Sequence, residues 1–231
     1  MSNQIKNSYL NKSGFFIVDE NTPGVIDIQP HIHAKILLVN NKKPLTINLE
    51  SHSKVEFFGL FQSDVPPKIF FHQNEEHSEL TIKTLFLNWE KPLQSQIKSY
   101  IHANHCSSDV DIVWLIQDKH LHLDSVIEIE KDVQKIEAHL DIENIFTSWE
   151  WSVHSIPTLL VRSDDVIASH SSKTHTIDEN KLFYLTARWL EAWQARLLMI
   201  QSYFAKIFEW LKDQKEVYQK MEDSFISWIN I

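Results

Sequence analysis

Only three glycines, Gly14, Gly24 and Gly59, occur in 231 residues. A phosphate-cradling loop needs several glycines close together so that backbone N–H groups can reach the phosphate. Their scarcity argues against nucleotide hydrolysis or dinucleotide binding by this chain. The Asn-Gly and Asp-Gly pairs of two-residue hairpins are absent as well. The single cysteine, Cys106, cannot close an internal disulfide, which fits a reducing cytoplasm. No run of about 18 apolar residues is present, so no membrane-spanning helix is expected. Residues 1–14, MSNQIKNSYLNKSG, lack the apolar core of a secretion signal and read as a flexible N-terminus. Basic charge is also scarce. A net charge of −9 leaves no patch for neutralising phosphates, and no nucleic-acid partner is expected.

What the chain has in quantity is short β-like runs. They begin at Phe15–Val18 and recur through Val25–Ile28, Lys35–Val39, Leu45–Leu49 and Lys54–Phe61 up to Val133–Leu140, Ile145–Trp149, Thr158–Val161 and Val166–Ser169. β-Branched and aromatic residues dominate them, and some alternate strictly, as in Leu80, Ile82, Thr84 and Phe86. Their spacing of about 8 to 14 residues suits a sandwich or barrel, or a solenoid of stacked coils. The missing hairpin signals favour parallel coils. At Asp178 the period changes: Asp178 is a plausible N-cap with Glu179 in the first turn. Trp193, Leu197, Ile200, Phe204, Ile207 and Leu211 then draw one apolar helical stripe. Lys212-Asp213 interrupts it, and Val217, Met221, Phe225 and Ile229 form a second. These helices are expected to pack on the end of the β region or on each other as a hairpin.

Thirteen histidines invite a search for metal sites. His31-x-His33 and His120-x-His122 would each put two imidazoles on one strand face, the start of a metal site, which at His31 and His33 would be of cupin type. Ala34 to Leu38 supplies neither the glutamate nor the glycine that would complete it. His102, His105 and Cys106 sit together as HANHC, either a thiolate–imidazole cluster or a polar loop with a packed cysteine. Asp164-Asp165 and Glu75-Glu76 are sequence neighbours, which a strand would turn to opposite faces, useless as an acid/base couple. No G-x-S-x-G or H-E-x-x-H occurs, and the residues offer no persuasive enzyme.

The stretch VRSDDVIASHSSKTHTIDENKLFYLTARWLEAWQARLLMIQSYFAKIF resembles the SufB/SufD family of iron–sulfur cluster assembly proteins, its SufD branch more closely. The matching residues are Asp164, Asp165, Val166, Ala168, Ser169 and His170, then Asp178, Glu179, Leu182, Phe183, Tyr184, Leu185, Arg188, Ala195, Arg196, Leu197 and Leu198. Glu143 to Leu160 looks like the family's preceding coil with a proline-centred turn, and weaker similarity reaches back to about Lys54.

The resemblance implies a right-handed parallel β-helix over residues 15–177 and a helical subdomain over 178–231. It implies a non-catalytic scaffold that pairs with a SufB-like subunit, or with itself, and docks a SufC-like ABC-type ATPase. His170, with Ser169, would lie at the scaffold interface near the nascent cluster, His170 being the candidate metal ligand. Asp178, Glu179, Leu182, Phe183, Tyr184, Leu185, Arg188 and Arg196 would form the ATPase-docking surface. Any iron–sulfur cluster would sit at a heteromeric interface, since one cysteine cannot hold it in this chain alone. The chain is expected to lack most of the family's N-terminal helical region. Where the family has glycines it has Ser171, His175 and Trp189, putting a β-carbon where a corner could need positive φ. Two other readings remain: a cupin-like metal enzyme using His31 and His33, and a carbohydrate-binding solenoid whose aromatics would line one exposed face.

Overall fold

Period-2 alternation buries one side of each run, and runs that repeat coil after coil can stack those sides into one interior. The computed structural model, which describes residues 3–5, 7–19, 21–39, 43–62, 68–88, 93–116, 121–147 and 153–229, has this form. Strands follow in chain order as β1 (Asn3–Gln4), β2 (Tyr9–Leu10), β3 (Gly14–Val18), β4 (Val25–Ile28), β5 (His33–Val39), β6 (Leu45–Leu49), β7 (Lys54–Gln62) and β8 (Lys68–Gln73). They continue as β9 (Glu79–Asn88), β10 (Leu93–Ile101), β11 (Ser107–Ile116), β12 (Leu121–Ile129), β13 (Gln134–Phe146), β14 (Val153–Val161) and β15 (Asp165–Thr176). The odd strands form one parallel sheet from β1 to β15, and the even strands a second from β2 to β14. The fold is a mainly β, parallel solenoid of two facing sheets, followed by three α-helices. The first fourteen residues, read from sequence as loose, contribute two short strands that pair with β3 and β4.

The interior is filled by stacked apolar rows. Phe61 and Phe86 lie 4.8 Å apart and Phe86 stacks on Trp114 at 3.9 Å. Gly59 faces the same interior, and a β-carbon there would collide with the Phe61 ring. These three aromatics fill the coil interior, where they offer no platform to a carbohydrate.

Several strand bounds differ from the sequence reading, β14 and β15 among them. Val133–Leu140 and Ile145–Trp149 are not separate: β13 runs unbroken to Phe146, because Ile142 and Asn144 keep the inward alternation between them. Residues 148–152 lie outside the described ones. Pro157 is not the centre of a turn but the middle of β14, paired with Ser125.

The odd sheet is apolar on both faces where runs break alternation, as in Phe57-Phe58 and Leu85-Phe86-Leu87. Its outer residues Leu37, Phe58, Leu60, Leu85, Leu87, Val113, Leu115 and Ile145 are covered by the C-terminal helices. These are α1 (Glu179–Thr186), α2 (Ala192–Phe208) and α3 (Lys215–Ile229), with a 3-10 turn at Glu209–Asp213 where the sequence predicts the break. Ile200, Phe204, Ile207, Leu211, Met221, Phe225 and Ile229 are buried, as the two stripes require, whereas Trp193 stays 66% exposed. The helices therefore lie across the outer face of the odd sheet, not on the end of the solenoid. The two-faced strands, rather than the helices, decide this.

Candidate functional site

The solenoid ends on two long strands, and their free edges define the site. β15 pairs with β13 through twelve residues and, among the described residues, has no strand on its other side. In a parallel strand one residue's N–H and C=O point to one neighbour and the next residue's to the other. Ile177 N–H donates to Phe146 O, so odd-numbered residues face β13. The N–H groups of Ala168, His170, Ser172 and Thr174 therefore point off the edge.

The same parity treats β14 differently. Arg162 N–H donates to Ile129 O, so even-numbered residues face β12, and the missing N–H of Pro157 falls on the outer side. That is where an edge strand accepts proline, and it blunts that edge. β15 has no proline and runs twelve residues. It is the more adhesive of the two.

Alternation also separates the two interface residues predicted from sequence. His170 pairs with Leu140 and lies on the inward face of the last coil, exposed, with no further coil over it among the described residues. Ser169 lies on the outer face, its Oγ 2.8 Å from His139 Nδ1. They do not form a pair. A polar outer row continues along the edge: Ser171 Oγ donates to Asp141 at 2.6 Å, and His175 Nε2 meets Glu143 at 3.0 Å. Burial raises the Glu143 carboxyl, but the hydrogen bond from His175 and the charge of Lys206 outweigh it and hold the group below the usual carboxylate range. The side chains of Ser171 and His175 sit in regular strand, so no glycine is needed there. At Trp189 it is otherwise: φ is 73°, the left-handed region that favours glycine.

The second predicted surface is α1. Asp178 caps it, its carboxylate accepting from Asn180 N–H at 2.9 Å and Lys181 N–H at 3.2 Å. None of its residues is fully buried. Leu182 and Leu185 are half-buried against the body, while Phe183 is 75% and Tyr184 54% exposed. Arg188 lies over the Tyr184 ring at 4.3 Å. Arg196, on α2, shares a small cleft with Glu179 and Leu182. These residues thus lie on α1 and the start of α2, with His170 on a separate element.

The other histidines assemble differently from the pairs proposed above. His33 Nε2 bonds Glu56 at 2.9 Å, while His31 turns away, so the two do not converge on one ion. His120 lies outside the described residues. In HANHC the three side chains diverge: His102 bonds Glu130 through Nδ1 at 2.9 Å, Cys106 is buried beside Ser78, and His105 lies on a coil corner. Burial pushes the Cys106 thiol up, so it is not poised as a thiolate.

His105 belongs to a feature that strand-based pairing missed. His31, His52, His77 and His105 form a column with ring centroids 5.0, 4.7 and 4.5 Å apart. All four have positive φ (61°, 54°, 60° and 57°), and each hydrogen-bonds through its N–H to the next coil. Histidine tolerates this conformation better than most side chains, and here it supplies corners that a glycine-poor chain cannot. Each of the four stands two residues ahead of a strand of the odd sheet.

A second stack joins His72 to Tyr100 at 4.7 Å and to His102 at 5.4 Å. Burial, and then the charge of His102, lower the His72 pKa from the ordinary 6.5. A histidine so depressed stabilises the fold above its unfolded pKa and loses that contribution as pH falls through the folded one. The urea midpoint is therefore expected to drop on going from pH 7.5 to 5.5, and to drop less in His72→Phe.

No helix among the described residues is long and apolar enough to cross a membrane. The chain matches the family model described as SUF system FeS cluster assembly, SufBD core domain, over residues 41–203. It is 24% identical over 147 residues to the iron–sulfur cluster assembly protein SufD of Escherichia coli (strain K12), covering 61% of this chain and 34% of that protein. It is 37% identical over 54 residues to an iron–sulfur cluster assembly SufBD family protein of Mycobacterium leprae (strain TN), covering 23% of this chain and 14% of that one. The match thus spans about a third or less of each relative's length.

Proposed function

The chain belongs to the family that shares the SufBD core domain, and on that footing we propose that it is a non-catalytic scaffold subunit in iron–sulfur cluster assembly. In this reading a protein of the same fold, SufB-like, pairs with the long free edge of β15, and an ABC-type ATPase docks on α1 and the start of α2. The observation that carries the reading is the twelve-residue β15, which among the described residues is paired on one edge only, at an end of the solenoid where the neighbouring last strand, β14, carries a proline. A long open edge is a template for another strand, and a soluble protein keeps one uncovered when a partner covers it. His170 then stands at the seam, where it could donate an imidazole to a cluster whose remaining ligands the partner supplies.

The cupin-like alternative is not favoured by any geometry here, because His31 is held in the stacked column and His33 by Glu56. Affinity purification of the tagged chain from its native cells is expected to retain a same-fold partner and an ABC-type ATPase. Recovery of the chain with neither would sink the scaffold reading.

A further inference from the structure

Parallel pairing sets Tyr100 of β10 beside His72 of β8, and His102 follows one residue past the end of β10. The backbone fixes this step and the next: His102 N–H donates to Gln73 O and Glu130 N–H to Ile101 O, each at 3.0 Å. His72, His102 and Glu130 therefore stand on three successive coils. Ile69, Phe71 and Gln73 alternate inward along β8, which leaves His72 on the outer side of the even sheet, away from the sheet that the helices cover.

Their side chains are linked end to end. Glu130 Oε1 lies 2.9 Å from His102 Nδ1, and His102 Nε2 lies 3.1 Å from His72 Nδ1. The two imidazole planes are within 4° of parallel, and the Tyr100 ring stacks on His72 at 4.7 Å. An ionised carboxylate only accepts, so Glu130 takes the proton of His102 Nδ1 and leaves Nε2 with a lone pair. That is the ligand form of histidine, backed by the outer carboxylate that metal-bound imidazoles have. Two nitrogens 3.1 Å apart, each about 2.0–2.1 Å from one ion, subtend about 95–100° at it, between the octahedral and tetrahedral angles. On binding, His72 exchanges its Nδ1–H for the Nε2–H tautomer, so the neutral pair accepts a cation without releasing a proton.

We propose that His72 Nδ1 and His102 Nε2 bind one divalent transition ion of the zinc and copper class, with Glu130 orienting His102 and solvent completing the coordination. Imidazole suits such ions, whereas magnesium and calcium take oxygen ligands. Among the described residues no group of three or more His, Cys, Asp or Glu side chains is placed to hold an ion, so this is an open site with two protein ligands. The His102 side chain is 27% exposed and Glu130 50%, which gives an ion access from solvent. The site does not depend on the scaffold reading and lies on the sheet opposite β15.

Zinc titrated calorimetrically into the full chain, free of any polyhistidine tag, tests this. One ion per chain is expected, lost in His72→Ala and in His102→Ala and not displaced by magnesium. Glu130→Gln keeps both ligands and should weaken zinc about 10–100-fold. Copper(II) bound to the wild type reports the ligands directly, and its electron paramagnetic resonance should show coupling to two imidazole nitrogens. If both alanine variants fail to fold, Glu130→Gln and the wild-type copper spectrum decide. Zinc held at wild-type affinity by both alanine variants, or only several weak equivalents insensitive to them, would mean an adventitious ion only and overturn the site. Loss of the same equivalent in His52→Ala/His77→Ala would place the ion on the histidine column and overturn it too, as would a copper spectrum without two nitrogens. Unchanged affinity in Glu130→Gln would overturn the role given to the carboxylate.

Discussion

Phe204→Ala is expected to lower the unfolding free energy by about 3–5 kcal/mol, read as a shift of the urea midpoint. Phe204 is 1% exposed and sits 4.9 Å from Phe208, 4.8 Å from Phe225 and 5.6 Å from Tyr218. It thus fastens α2 to α3 while both lie on the odd sheet. Alanine would leave a cavity between three rings that cannot all close on it, because Phe225 belongs to a different helix from Phe208. The outer faces of Leu60, Leu85, Leu87, Val113 and Leu115 depend on that helical layer for cover. The variant should therefore also bind a hydrophobic dye at urea concentrations where the wild type does not. If the midpoint moved by less than the equivalent of about 1 kcal/mol, the helices would not be an integral layer of this fold.

That layer shows what could be read from residues alone. The period switch at Asp178 placed the helices, and the two stripes selected the buried residues Phe204 and Phe225. Their destination was equally present in the sequence, in the double-faced runs of β7, β9 and β11, but it becomes visible only when the covering element is sought. The coil corners were hidden for a different reason. Corner detection looks for glycine, and this chain fills four successive corners with histidine in the left-handed region. The polar tail of β15, SHSSKTHT, lacks the residues that mark a strand, and what makes it one is the ladder to β13 together with pairs such as Ser171–Asp141. Pair geometry across coils cannot be read from one strand. Ser169 and His170 were named together by the resemblance, and as neighbours on one strand they point to opposite faces.

Edge polarity is the property furthest from the sequence, and it gives the sharpest test of the scaffold reading. Two adjacent prolines in β15 are expected to behave oppositely. Ser172→Pro removes an N–H that points off the free edge, so the β13 ladder survives and stability should fall by no more than about 1 kcal/mol. The edge, however, can no longer accept a full strand, and co-sedimentation with the same-fold partner should be lost. Ser171→Pro removes an N–H that faces β13, leaving a ladder carbonyl without its donor, and should cost about 1–3 kcal/mol in stability. The natural Pro157 already shows the tolerated placement on β14, where its missing N–H lies on the outer side. Equal stability losses in the two variants would refute the assigned parity. Undiminished association in Ser172→Pro would mean that the partner does not add a strand to β15 and must engage the end of the solenoid through side chains such as His170 instead.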